Sequence, residues 1–331
     1  MCEAHQAVRD FRPSEATRRR NIPAAVGGLD QDHGGAPKSD QIRIDRTIPI
    51  RGVTMRAKTV LSIIGVNQND EDLRSAIELS RAAGAYLSVL VTALAIAPVG
   101  GYGEVSSSAW AEERERELKK LGEEVAATKA LLQSSDISFD VDRLFTEYGW
   151  VDNEIGERAR YADVTLVGGG LLAQNDMRWR ILNGALFHSP APILIVPKGR
   201  VASLQPRRVL VAWDSRNEAS HAVRAAMEQL TAAENVHVVI VDPRASTRGT
   251  GEEPGAELAA FLKRHGVDVS VDILASGGRT TADTLRQHAV DIGADMMVMG
   301  AYGHSRMRER IFGGTTRSML EAAPVPLMMT R

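Results

Sequence analysis

One cysteine, Cys2, stands in a chain of 331 residues. A lone thiol excludes an internal disulfide framework and a cysteine-based metal site, and it fits a reducing compartment. Aromatic residues are sparse at 5%, and neither charge sign prevails: 40 Lys and Arg face 42 Asp and Glu, a formal net charge of −2. No global field therefore steers the chain towards nucleic acid or an anionic membrane. Long apolar runs are missing too. Tyr86 to Val99 is too short and too polar at its edges to span a bilayer, and the amino terminus lacks the apolar stretch of a secretory signal. These absences predict a soluble, cytoplasmic protein. Catalytic signatures are equally scarce: the sequence has no Gly-x-Ser-x-Gly elbow, no Walker loop, and no Gly-x-Gly-x-x-Gly after its first strand. Its eight histidines are scattered without a His-x3-His pair, so no metal site is expected. Ser305 beside His304 is no triad, because adjacent side chains rarely face each other and no orienting acid is evident. With no general base in place, the chain does not read as an enzyme.

What is present is ordinary for a globular protein: 44% apolar and 25% charged residues, in a length sufficient for two domains. Residues 1–56 form the exception. They combine scattered charge, the glycine-rich stretch Gly27 to Gly35 and the triplet Arg18-Arg19-Arg20, without hydrophobic periodicity. Such a segment buries too little apolar surface to offset its ordering entropy and reads as a disordered tail. The arginine triplet reads as a solvated cluster, with a docking tag as the alternative. Met55 stands just before the first convincing strand, so the first 54 residues are either a tail or sequence upstream of the true start.

From there the chain alternates strands and helices, and then does so again. Residues 57–199 open on Thr59 to Val66, and residues 207–331 on Arg208 to Ser215. Helices follow at Asp72 to Ala83 and Glu218 to Ala232, and strands at Tyr86 to Ala95 and Val236 to Val241. More charged helices come next, at Trp110 to Gln133 and Pro254 to His265. Strands at Ile137 to Leu144 and Val267 to Leu274 precede helices at Val151 to Arg160 and Thr280 to Ile292. Fourth strands lie at Val164 to Val167 and Met296 to Met299, and each half closes on a Pro-bounded strand, Ile193 to Val196 and Leu327 to Met329. Apolar strands alternating with amphipathic helices predict α/β architecture, with parallel sheets covered on both faces. A repeat of about 140 residues is too long for a solenoid unit and means two domains of one fold, joined by Lys198 to Arg207. The charged helix carries Glu and Lys or Arg at helical spacing, the pattern of a solvated face.

The densest signal follows the fourth strand of the second half. Gly300 and Gly303, in Met299-Gly300-Ala301-Tyr302-Gly303-His304, let the backbone leave the strand tightly. Gly313-Gly314-Thr315-Thr316 then sits where a helix begins and presents unpaired N–H groups, a position suited to phosphate. Arg306, Arg308 and Arg310 lie between, although Glu309 interrupts them and a solvated face is an equal reading. Arg317 in the first helical turn opposes the dipole unless an anion is bound there.

These residues resemble the nucleotide-binding members of the universal stress protein family, whose motif after the fourth strand is Gly-x2-Gly-x9-Gly-Ser/Thr. Gly300, Gly303 and Gly313 match both spacings, while Gly314 stands where the family has a hydroxyl residue. The resemblance implies tandem doubly wound five-stranded domains, similar to the adenine nucleotide α-hydrolases. It also implies that Asp214, with the backbone at Ala212 and Val241, borders an adenosine. Ligands in such sheets bind beyond the carboxyl ends of the strands near the switch point. The first half looks degenerate: Asn67-Gln68-Asn69-Asp70 follows its first strand, Gly168-Gly169-Gly170-Leu171 follows its fourth, no glycine closes the loop, and Asn183-Gly184 comes too late. Family dimerisation through the last strand implies that the two closing strands pair within one chain as a pseudo-dimer, with a homodimer also open. The expected function is regulatory: ATP, or ADP or AMP, with Mg as a companion ion, closes residues 300–316 over the strand ends and alters the surface offered to an unknown protein partner. A nucleotide-free interaction scaffold is the alternative, supported by Gly314, and slow ATP hydrolysis is a third.

Overall fold

The computed structural model describes residues 57–66, 68, 70–95, 107–243, 254–301 and 314–331; the amino-terminal tail lies outside them. The first half contains strands β1 (Thr59–Gly65), β2 (Tyr86–Ala95), β3 (Phe139–Glu147), β4 (Val164–Gly168) and β5 (Ile193–Val196). Its helices are α1 (Glu71–Ala83), α2 (Ser107–Gln133), α3 (Val151–Ala159), α4 (Gly169–Leu172) and α5 (Asn175–Phe187). The second half contains β6 (Arg208–Ala212), β7 (Asn235–Val241), β8 (Val269–Leu274), β9 (Met296–Gly300) and β10 (Leu327–Thr330). Its helices are α6 (Asn217–Ala225), α7 (Met227–Ala232), α8 (Ala256–Arg264), α9 (Thr281–Asp291) and α10 (Gly314–Glu321). No described helix is long and apolar enough to cross a membrane.

All ten strands join one sheet in the order β3-β2-β1-β4-β5-β10-β9-β6-β7-β8. Within each half every pair is parallel, which demands crossovers and explains why helices follow strands. Where the halves meet, β10 pairs antiparallel with β5, setting Leu327, Met328 and Met329 opposite Ile195, Leu194 and Ile193. This is the intramolecular strand pairing expected from the sequence. The near-continuous apolar strands bury side chains on both faces, as parallel sheets require. On one face Val60, Leu87, Leu194, Met328, Val209 and Val236 belong to a single core. On the other, Leu61, Leu90, Ile193, Met329, Met297 and Leu210 do the same. Each core therefore runs through both halves. Arg317 stacking 5.8 Å from the Trp179 ring centroid and Arg331 at 4.6 Å from that of Phe187 add contacts across the junction.

One sequence expectation needs correction. The helix expected from Glu218 to Ala232 is broken at Ala226, whose φ of −90° and ψ of 7° leave the helical region and separate α6 from α7. In the first half, the stretch Gly168 to Leu171 is the last residue of β4 and a helical turn, while Asn183 and Gly184 lie inside α5. A Cβ on Gly184 would meet Asp152 O at 2.6 Å and Ile155 Cβ at 2.9 Å, so this glycine lets α3 and α5 approach. The charged face of α2 carries exposed i,i+3 and i,i+4 pairs such as Lys120 with Glu117 at 2.7 Å, which individually add little stability.

Because the cores are shared, Leu194→Ala or Met328→Ala, at fully or almost fully buried positions, should each cost about 2–5 kcal/mol. Calorimetry should still record one transition with equal calorimetric and van't Hoff enthalpies; two resolved transitions would mean the halves unfold separately.

Candidate functional site

In the second half the strand order reverses between β6 and β9, which pair directly with Ala212 opposite Met299. A crevice at the carboxyl ends of strands that diverge in this way is where doubly wound sheets take ligands. Ala212 is half-buried, Met299 buried and Gly300 half-buried. Trp213 turns to the opposite face and lines a groove of about 180 Å³ between α6 and α8, with Val223, Arg224 and Phe261. Asp214 stands exposed beyond the strand end. Its Oδ1 accepts the Arg216 backbone N–H at 3.1 Å, and its Oδ2 lies 3.6 Å from Arg216 Nε. Ser215 takes a left-handed φ of 63°, so a side chain-closed turn leads the chain from β6 into α6. Val241, half-buried, ends β7 beside β6.

Asp242, which sequence reasoning passed over, adds a second carboxylate at this edge. It has φ of 47° and its Oδ1 accepts the Ser276 N–H at 3.0 Å. Hydrogen bonds from the side chain and backbone of Ser276 hold its carboxyl below the usual range. The signal was available as Asp-Pro directly after an apolar strand, the same turn chemistry as Asp214. On the phosphate side, Gly314 is the exposed first residue of α10, Thr315 is half-buried and Thr316 buried. Gly303, His304 and Gly313 lie outside the described residues, as do Arg306, Arg308 and Arg310.

Gly300 has a structural reason to lack a side chain. A Cβ there would stand 2.5 Å from Ala219 N and from the Glu218 carbonyl carbon, backbone atoms of α6 that cannot yield cheaply. Gly314 differs, with no atom within 4 Å of its would-be Cβ among the described residues. The first half solves the equivalent junction otherwise. The Asp72 carboxylate is only 6% exposed and fills the space beside Gly168, whose Cβ would lie 2.2 Å from Asp72 Cγ. It accepts the N–H groups of Gly170 and Leu171, each at 3.0 Å. Burial pushes the Asp72 carboxyl up from its ordinary value, against the pull of those two bonds. Gly169 in turn admits the backbone of Lys198, 2.6 Å from its would-be Cβ. The triple glycine is thus explained by packing, and two backbone donors after β4, those of Gly170 and Leu171, are already taken.

Gly300→Ala should therefore destabilise the fold by about 1–3 kcal/mol, as overpacking does. Gly314→Ala should be neutral or stabilising by about 0.5–1 kcal/mol, since it removes backbone freedom from a helix. Urea titration of both variants checks the contrast, and equal effects would refute it. Asp72→Ala, which strands two N–H groups, should lower stability by about 1–3 kcal/mol in the same assay.

The model of the universal stress protein family matches residues 206–331. Among solved structures, a universal stress protein from Archaeoglobus fulgidus is similar over 84% of this chain and 97% of its own, with 18% identity and a TM-score of 0.58. A putative universal stress protein from Pseudomonas aeruginosa covers 84% and 94%, with 16% identity and a TM-score of 0.52. At such identities the likeness establishes the fold across both halves. No curated protein matches the chain in sequence.

Proposed function

We propose that this chain, which carries a universal stress protein family domain at residues 206–331, is a regulatory protein that binds ATP or a related adenine nucleotide in its second half. The observation that carries the reading is the meeting of β6 and β9 at the switch point, with Asp214 beyond one strand and Gly300 ending the other. The glycine spacing in the sequence then continues to Gly303 and Gly313 and into α10. In this reading the Asp214 carboxylate accepts hydrogen bonds from the ribose hydroxyls, and the backbone at Ala212 and Val241 borders the base. The N–H groups at the start of α10 meet phosphate, with Thr315 and Thr316 supplying hydroxyls in place of the one lost at Gly314. Mg accompanies the phosphates as their counter-ion. The bound state differs from the free state in residues 300–316, and the protein partner reads that difference. No hydrolysis is assigned: the two carboxylates at this edge, Asp214 and Asp242, each accept a backbone N–H, from Arg216 and Ser276.

A nucleotide-free scaffold is the second reading, and a specific observation favours it. The packing of α6 against Gly300 accounts for that glycine without any ligand.

Thermal melts of the full chain with and without Mg-ATP, Mg-ADP and AMP separate the two. Saturation at about 100 times the dissociation constant adds roughly 2.7 kcal/mol, a shift of several degrees for a body of this size. Gly314→Val, whose Cβ meets no atom within 4 Å among the described residues, and Asp214→Ala should both abolish the shift while leaving the ligand-free melting temperature within a degree or two. A folded wild type that gives no shift with any nucleotide establishes the scaffold instead.

A further inference from the structure

Away from the strand ends, the fold assembles one more constellation. His237 on β7, Asp272 on β8 and His288 in the last turn of α9 converge on the face of the sheet covered by α9. His237 Nδ1 lies 2.8 Å from Asp272 Oδ2, and His288 Nε2 lies 2.9 Å from the same oxygen. Ser270 Oγ stands 3.1 Å from His237 Nδ1. The three potential ligand atoms all lie within 4.8 Å of one another, the one such group of three among the described residues. Side-chain exposures of 22%, 25% and 18% make the cluster neither solvated nor sealed.

The fold does not itself require this arrangement, and the chain supplies its own control. Strand register sets His237 opposite Ser270 in the second half and Ser88 opposite Asp140 in the first. Two residues on, Asp142 occupies the position of Asp272. There the carboxylate pairs with Arg158 of α3 at 2.8 Å, and Ser88 stands where the second half has His237. One half thus satisfies its edge-strand carboxylate with a single guanidinium in solvent. The other surrounds it with two imidazoles and a hydroxyl.

We propose that His237 Nδ1, Asp272 Oδ2 and His288 Nε2 bind a divalent transition-metal ion of the zinc class. Two imidazoles and one carboxylate are a donor set suited to such an ion, which hard cations such as Mg and Ca do not seek. Bonds of about 2.0–2.1 Å in a tetrahedron place donors roughly 3.3 Å apart. The two pairs at 2.8 and 2.9 Å need open by only about half an ångström. Binding requires both imidazoles neutral, with the remaining proton on Nε2 of His237 and on Nδ1 of His288, and the carboxylate ionised. The fourth position falls to Ser270 Oγ or to water. The ion would clip β8, at the sheet's edge, to β7 and α9. The site does not use the strand ends assigned to nucleotide: His237 lies four residues before the end of β7, Asp272 two before the end of β8, and His288 belongs to α9.

The test is Zn²⁺ titration of the EDTA-stripped full chain against a chromophoric chelator. The expected result is one tight equivalent in wild type, weakened at least about 100-fold in His237→Ala, in His288→Ala and in the near-isosteric Asp272→Asn. Crystals of the Zn²⁺-loaded wild type should show an anomalous peak between the three side chains, a readout that stands even if the alanine variants misfold. No tight equivalent in wild type, variants that retain it, or a zinc peak elsewhere would each overturn the proposal and leave a hydrogen-bonded His-Asp-His cluster.

Discussion

The pairing of β5 with β10 is the constraint from which the rest of the structure follows. Either strand left at an edge would present an unpaired ladder flanked by side chains that are all buried in the joined sheet. Joined, they remove two apolar edges at once and let both cores continue across the junction. The pairing also fixes where function can sit. It is antiparallel while every other pair is parallel, so the carboxyl ends of the first half's strands lie at the opposite edge of the sheet from those of the second. A ligand at the second half's switch point therefore has no counterpart beside it. Influence on the first half must pass through the sheet or through contacts such as Arg317 on Trp179.

Identical topology has not kept the halves chemically alike. Asp163 and Asp295 are retained in the same role, each accepting two backbone N–H groups at the start of its half, at 2.7–2.9 Å and 2.7–3.3 Å. That capping serves the fold in both. Divergence appears at the ends of the fourth strands. Both terminate in glycine, but beside Gly168 a buried carboxylate holds the next two N–H groups, whereas beside Gly300 the backbone of α6 moves in. A carboxylate on those donors is an internal anion. It occupies hydrogen-bonding capacity that a phosphate would otherwise use, and displacing it would leave its charge buried and unpaired.

The strand–helix alternation, the duplication and the closing strands were legible because they rest on local periodicity and on proline punctuation. The break at Ala226 was not, since alanine is the best helix former and nothing in the local sequence marks it. The helices α4 and α5, which hold Gly169 and Gly184, were not read from the sequence at all. Glycine signals a turn in sequence, and only packing reveals that Gly168, Gly169 and Gly184 admit Asp72, Lys198 and α3. Asp214 and Gly300 could be found because they belong to contiguous motifs at strand ends. His237, Asp272 and His288 could not, because they are separated by 35 and 16 residues and their meeting depends on strand register and on the placement of α9.

Glycine also limits what a motif can prove. The same missing Cβ serves a close helix and a close phosphate, and Gly300 fits the first use without excluding the second. A bulky residue there would unseat α6 whatever the ligand, so lost binding in such a variant would say nothing about recognition. Gly314 carries the discriminating information, because its surroundings among the described residues leave a side chain room. If a helix start tolerates a side chain in the empty protein and rejects it only when nucleotide is present, the glycine answers to the ligand. A glycine required in both conditions answers to the fold. The distinction applies to every glycine in the motif, and it places the burden of evidence on positions where packing is indifferent.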